Sequence, residues 1–283
     1  MFSIVSSGWV SYGAFASVGR SQGAALIVNN FFSTVINAAL GVANQANTMV
    51  STFASSVTQP IAPQITKNYA SGNYDRCFRL FVFSNKLAFL SMLFISSPLL
   101  VAPEWILNIW LGFVPDIAVN FMVLVTIDTL VQSLSSGISD LIFANGRISM
   151  YQLVVNTLRL AALLLGYFVL KSGAPAYYLY YAYISVSVVV FFVSLSILHK
   201  TLNFDNKILW KQSYLPSLAV TILFLPCCFL LESVSPLYRI IIALLYIALL
   251  VLIVGLSKSE RSYIFDSVKK IISAKFLTKN NQI

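Results

Sequence analysis

Stretches of roughly 20 residues, each nearly free of acidic and basic side chains, follow one another along this chain of 283 residues. Only 10% of its residues are charged and 58% are hydrophobic, whereas soluble domains carry roughly 25% charge. So little charge cannot clothe a water-exposed surface, which makes the bilayer the solvent. Inside hydrocarbon every backbone N–H and C=O must find a partner within the protein, and segments of this length do so as helices. The expected fold is an all-α polytopic membrane bundle of about eight transmembrane helices, at about 8–30, 35–57, 79–102, 117–143, 148–170, 175–198, 215–231 and 238–256. Three regions follow: a membrane bundle over 1–200, two additional transmembrane helices over 201–257, and a basic amphipathic tail over 258–283.

The second stretch is unlike the others. At about 100° per residue, Asn37, Asn44, Thr48, Ser51, Thr52, Ser55 and Gln59 share one face, and Val42, Ala46, Met49, Val50, Phe53 and Val57 occupy the other. Polar groups left in lipid are costly, so a spanning helix that keeps this many is expected to turn them toward a bundle interior or a polar cavity. Asp128, Gln132, Ser135, Ser136 and Ser139 form a comparable stripe, as do Gln152, Asn156 and Arg159 at helical spacing. Converging polar stripes in a membrane point to transport.

Five charged residues fall inside the predicted spans: Arg20, Lys86, Asp128, Asp140 and Arg159. Each costs several kcal/mol if unpaired, roughly 2.5 to 3.5 on insertion scales. If the fourth and fifth helices form an antiparallel hairpin, Asp128 and Arg159 reach similar depth and are placed to pair. Arg20 has no acid in its own helix; it either faces an anionic substrate, reaches for the interface, or pairs with Asp128. Lys86 is expected to extend its ammonium to the inner surface, and Asp140, near the inner end of its helix, is expected to be hydrated, with ion coupling as the alternative.

Basic residues fall in alternate loops: Lys67, Arg76 and Arg79, then Arg147, then Lys200, Lys207 and Lys211, then six from Lys258 to Lys279. The other side holds Lys171 and Arg239 beside Glu104, Asp116 and Glu232. By the positive-inside rule both termini are expected in the cytoplasm. The cluster Tyr177, Tyr178, Tyr180, Tyr181 and Tyr183 reads as an aromatic belt at the outer interface, and Tyr263, Ile264, Val268 and Phe276 among lysines read as a helix lying on an anionic leaflet. No cleavable leader is expected, because the first residues lack a basic start and run into a full-length span. Cys77, Cys227 and Cys228 are odd in number and in apolar surroundings, and His199 stands alone, so no disulfide, metal or cofactor is expected.

Gly8-Trp9, NNFFSTVINAALGVANQ from Asn29 to Gln45, PQITKNYASGNYDR from Pro63 to Arg76, ILNIWLG from Ile106 to Gly112 and ANGRISMYQ from Ala144 to Gln152 together resemble the C-terminal half of a polysaccharide or O-antigen flippase of the multidrug/oligosaccharidyl-lipid/polysaccharide exporter superfamily. The pieces cover about the first 150 residues; the later spans match in hydropathy and order. The resemblance implies that 1–200 is the second six-helix lobe of the MATE-like exporter fold, followed by two extra helices, with the first lobe absent from these residues: a truncated or partial flippase.

It further implies that a polyprenyl-pyrophosphate-linked oligosaccharide is moved across the bacterial inner membrane for surface polysaccharide and lipopolysaccharide biosynthesis. Implied partners are that lipid-linked substrate, membrane lipids, a first-lobe polypeptide and polysaccharide assembly proteins, and no nucleic acid. Arg20 and Arg159 are then candidates for pyrophosphate or acidic-sugar contact, Asn30, Asn37, Asn44, Gln45 and Thr48 for cavity lining, and Asp128 and Asp140 for coupling or ion pairing. The segment 63–76, basic and polar, serves topology or covers the inner mouth. A drug/cation antiporter of the same superfamily, or an inactive remnant, are the alternatives. With no long outer loop, His-Asp cluster or paired acids, an enzyme is not expected.

Overall fold

A computed structural model describes residues 2–112, 115–231 and 233–262, and the side chains of all of these except 2–7 and 116. Among the described residues there are helices and no strand. They are α1 (Phe2–Phe31), α2 (Thr34–Thr58), α3 (Ala62–Ala70), α4 (Tyr74–Val101), α5 (Pro103–Leu111), α6 (Asp116–Ser133), α7 (Ser136–Asn145), α8 (Ile148–Lys171), α9 (Tyr178–Leu202), α10 (Asn206–Leu209), α11 (Leu215–Leu230) and α12 (Pro236–Leu250). Five-residue π-helical turns, Trp210–Tyr214 and Val251–Gly255, join α10 to α11 and extend α12.

Among the described residues, six helical segments are long and apolar enough to cross a membrane: Tyr74–Val101, Ile117–Asn145, Ile148–Lys171, Tyr178–Leu202, Asn206–Leu230 and Pro236–Gly255. The protein is therefore a multi-pass helical membrane bundle. The expectation of eight spans is met in length but not in apolarity. At about 1.5 Å per residue α1 and α2, with 30 and 25 residues, reach across a bilayer, yet neither is apolar enough to stand among the six. Glycine, serine, glutamine and Arg20 dilute α1, and the amide and hydroxyl stripe dilutes α2.

Both less apolar helices are held by protein. α1 lies along α8, and α2 lies against α6 and α4. The buried face of α2 is Ala39, Leu40, Ala43, Ala46, Val50 and Ala54, and its four alanines, at spacings of three to eight, let backbones approach. Half of the face expected to be apolar is turned outward, with Met49, Phe53 and Val57 exposed. On the α1–α8 side, a Cβ added to Gly13 would sit 2.6 Å from Gln152 Oε1, and one on Gly23 would sit 2.7 Å from Leu163 Cδ2. At both places the end of a side chain from α8 rests against the glycine.

α4 is the centre of the bundle. In its apolar window 67% of residues are buried, against 17% for the last span, and α2, α6, α11 and α12 pack around it. The expected aromatic belt is split by this packing. Tyr178 and Tyr181 are exposed, whereas Tyr180 and Tyr183 are buried and turned inward. Lys86 also differs from expectation: it is buried, and its Nζ donates to Glu260 Oε2 at 2.5 Å. The acid comes from a segment far along the chain, which depth along α4 alone cannot reveal. The tail expected as an amphipathic helix lies, from residue 263 onward, outside the described residues.

Candidate functional site

The fourth predicted span is interrupted. α6 stops at Ser133 and α7 resumes at Ser136. Across the break Leu134, Ser135 and Ile138 donate their N–H groups to Val131, Gln132 and Ser135 carbonyls, the tighter i to i−3 pattern. No proline causes this. Ser133, Ser136 and Ser139 donate their hydroxyls to carbonyls three residues back, competing with the regular ladder. Tyr214 donates its hydroxyl to the Leu134 carbonyl at 3.2 Å, satisfying one group that the break frees. Broken helices are tolerated at membrane depth only where protein or a polar cavity receives the backbone.

Such a cavity is present. Because α1 packs on α8 while α2 packs on α6 and α4, the two diverge beyond the turn that joins them, and the α6–α7 break floors the space between. On the α1–α8 side a cavity of about 450 Å³ is lined by Gly13, Gln132, Ser139, Gln152, Asn156 and Arg159 among others. Two smaller spaces on the α2 side, of about 290 and 220 Å³, are lined by Ser51, Ser55, Thr58, Gln59 and Asp140. All three meet at Ser136. Together they form a trough in which hydroxyls, amides, one cation and one carboxylate are set among apolar side chains.

Asp128 sits deep beside it, 4% exposed. Of the two arginines expected at its depth, the structure places Arg20 against it: Arg20 Nη2 donates to Asp128 Oδ2 at 2.6 Å. Gln132 donates to the same oxygen at 2.9 Å, and Ser187 to the other at 2.6 Å. The Arg20 guanidinium stacks over Tyr183, 4.5 Å from the ring centroid, while the Tyr183 hydroxyl donates to the Arg20 carbonyl. A carboxylate with three donors and an arginine against a ring form a buried network that neutralises the Arg20 charge, although Arg20 Nε, like Arg159 Nε, is buried without a hydrogen-bond partner. The hairpin argument for Asp128 and Arg159 fails because α9, not α8, packs on α6.

Arg159 is therefore left over. It lines the larger cavity, its Nε is buried without a partner, and among the described residues no hydrogen bond or ion pair holds its guanidinium. The rest of its stripe is otherwise engaged: Asn156 donates to Gln152 Oε1. Asp140 lines the other arm of the trough, and among the described residues it too has no ion pair. Trough-lining carboxylate and cation thus stand on opposite sides of the broken helix.

The α2 amides named from sequence lie elsewhere. Asn44 accepts from the Tyr180 hydroxyl at 2.9 Å, tying α2 to α9. Asn37 is half-buried with an unpartnered Oδ1, Asn30, Gln45 and Thr48 are exposed, and none of the five lines the trough. The α2 groups that do are Ser51, Ser55, Thr58 and Gln59, nearer the end where α1 and α2 have separated. Ser51, Ser55 and Gln59 belong to the same stripe, one to three turns further along. Thr58 and the role of Ser133 to Ser139 as a helix interruption were not anticipated; four serines in seven residues was the available signal. Segment 63–76 forms α3 and the start of α4, with α3 packed on α7 and α4 and Ala62 reaching the trough's edge.

The fold and site define a multi-pass helical membrane protein with a trough between its helices that carries polar and charged side chains. No family model, curated protein or solved structure matches the chain.

Proposed function

We propose that the trough is part of the translocation path of a lipid-linked oligosaccharide exporter, and that this chain supplies one lobe of it. The supporting observation is Arg159, an intramembrane guanidinium that no hydrogen bond or ion pair engages among the described residues, beside a surface of hydroxyls and amides. A cation held unpaired in a membrane is costly unless a ligand or water offsets it, and a planar fork suits a pyrophosphate or an acidic sugar. The serines, Gln59 and Gln132 supply the many hydrogen bonds that a glycan needs.

Arg20, by contrast, is assigned to packing, since Asp128 already neutralises it. In this reading the substrate moves from the cytoplasmic to the outer leaflet of a bacterial inner membrane, both termini are cytoplasmic, and the path alternates by rocking of this lobe against a second one. Polysaccharide assembly proteins and the second lobe are its partners, and no covalent chemistry is involved. The unpaired Asp140 supports a second reading, an antiporter that exchanges a cationic compound for an ion.

Surface-glycan complementation in cells lacking their own flippase tests the assignment, using this chain with and without a supplied first lobe. Arg159→Ala is expected to reduce exported glycan about tenfold or more, the equivalent of one charge-assisted contact, at unchanged protein level. Full export by Arg159→Ala overturns the assignment. Loss of a cationic drug's efflux on Asp140→Asn, with glycan export absent in every variant, would establish the antiporter.

A further inference from the structure

We infer that the bundle carries a second binding site, separate from the trough, for the phosphate headgroup of an anionic membrane lipid at the end where α4 begins. It stands on the membrane class of the protein and not on the exporter reading.

A cavity of about 500 Å³ opens there between the first turns of α4, Gln212 of the π-helical turn and the segment Ser257–Glu260. Arg76, Arg79, Leu80 and Phe83 follow one another at helical spacing down one side of α4 and all line it. Both arginines are exposed, and among the described residues no hydrogen bond or ion pair engages either guanidinium. Ser257, Ser259 and Gln212 add neutral polar groups around them.

The carboxylate in this lining, Glu260, would repel an anion if it stood free. It does not: Lys86 holds it at 2.5 Å, and the Ser257 N–H donates to the same oxygen at 2.7 Å. The pair is neutral, so the two arginines are the uncompensated charge of the cavity. Arg76 and Arg79 can each present a fork to phosphate oxygens.

Two observations favour a lipid over free phosphate. Leu80, Val82 and Phe83 line the same cavity one to seven residues further along α4 than the arginines, about 2 to 10 Å at 1.5 Å per residue, where a headgroup continues into acyl chains and an inorganic anion has nothing to place. Beside the same turns, Tyr69, Tyr74 and Phe78 form a ring cluster, with Tyr69 and Tyr74 centroids 5.3 Å apart and Tyr74 49% exposed. Half-exposed tyrosines of this kind mark the level of the headgroups. None of the cavity's residues belongs to the trough.

The test uses the full chain in detergent, offered equal phosphatidylglycerol and phosphatidylcholine, with retained lipid counted by native mass spectrometry. The wild type is expected to retain phosphatidylglycerol selectively, and Arg76→Gln/Arg79→Gln to lose that retention about tenfold or more, with an unchanged melting temperature because neither side chain has a partner to lose. Lys200→Gln/Lys207→Gln, which removes equal charge outside the cavity, is expected to retain lipid like the wild type. Wild-type retention by the arginine double variant, equal loss in the lysine double variant, or displacement of the lipid by millimolar inorganic phosphate would each overturn the proposal.

Discussion

At the scale of single residues, two intramembrane arginines of the same chemistry have separate fates. Arg20 is committed to Asp128, a partner buried to 5% side-chain exposure, and removing one member of such a pair strands the other. Asp128→Asn is expected to destabilise the bundle by about 3 kcal/mol, read as a shift in unfolding in mixed detergent, while the double variant Arg20→Met/Asp128→Leu recovers most of that loss. Arg159→Met, which removes no hydrogen bond or ion pair among the described residues, is expected to change stability by less than about 1 kcal/mol. A loss as large as that of Asp128→Asn would show that Arg159 has a structural partner after all. Sequence spacing placed Arg20, Asp128 and Arg159 at comparable depth and could go no further, because choosing between two arginines depends on which helix α6 touches.

At the scale of elements, the α6–α7 interruption shapes the trough. It has two supports. Tyr214 covers the Leu134 carbonyl, and Gly137 lets α7 close on α4, where an added Cβ would lie 2.8 Å from Asn85 Cβ and 3.1 Å from its Cα. Tyr214→Phe is expected to cost about 1 kcal/mol, and Gly137→Ala about 1–3 kcal/mol, since the neighbour includes helix backbone that cannot rotate away. Both are measured by thermal unfolding; no loss in either variant would mean that the two helices have room to separate. Hydropathy reads 117–143 as one continuous span because serine is nearly neutral on such scales. Competition between serine hydroxyls and the helical ladder is a hydrogen-bonding effect that hydropathy does not record. The α7–α8 turn was more legible: Gly146, at φ 81°, ends α7 within the Ala144–Gln152 run, a conformation that favours glycine.

At the scale of the whole molecule, the start of the C-terminal segment is tied to the centre of the bundle. Glu260 closes a Ser257–Glu260 capping box and accepts from Lys86 of α4. Glu260→Gln is expected to leave the Lys86 charge poorly compensated and to raise the rate of tryptic cleavage after Lys258 and Arg261 by about tenfold; unchanged cleavage would show that the contact does not hold the segment. The sequence by itself determined the class of fold, because charge scarcity and the length of apolar segments answer to a single requirement, keeping backbone polar groups out of lipid. It also determined that several helices carry polar faces, since helical periodicity is local. Only the tertiary structure decided which faces meet: that α2 packs through a mostly alanine face and leaves Met49, Phe53 and Val57 outside, that Lys86 is paired, and that Asp128 selects Arg20. Pairing depends on contacts between residues 108 and 174 positions apart, and no local period carries information over that distance.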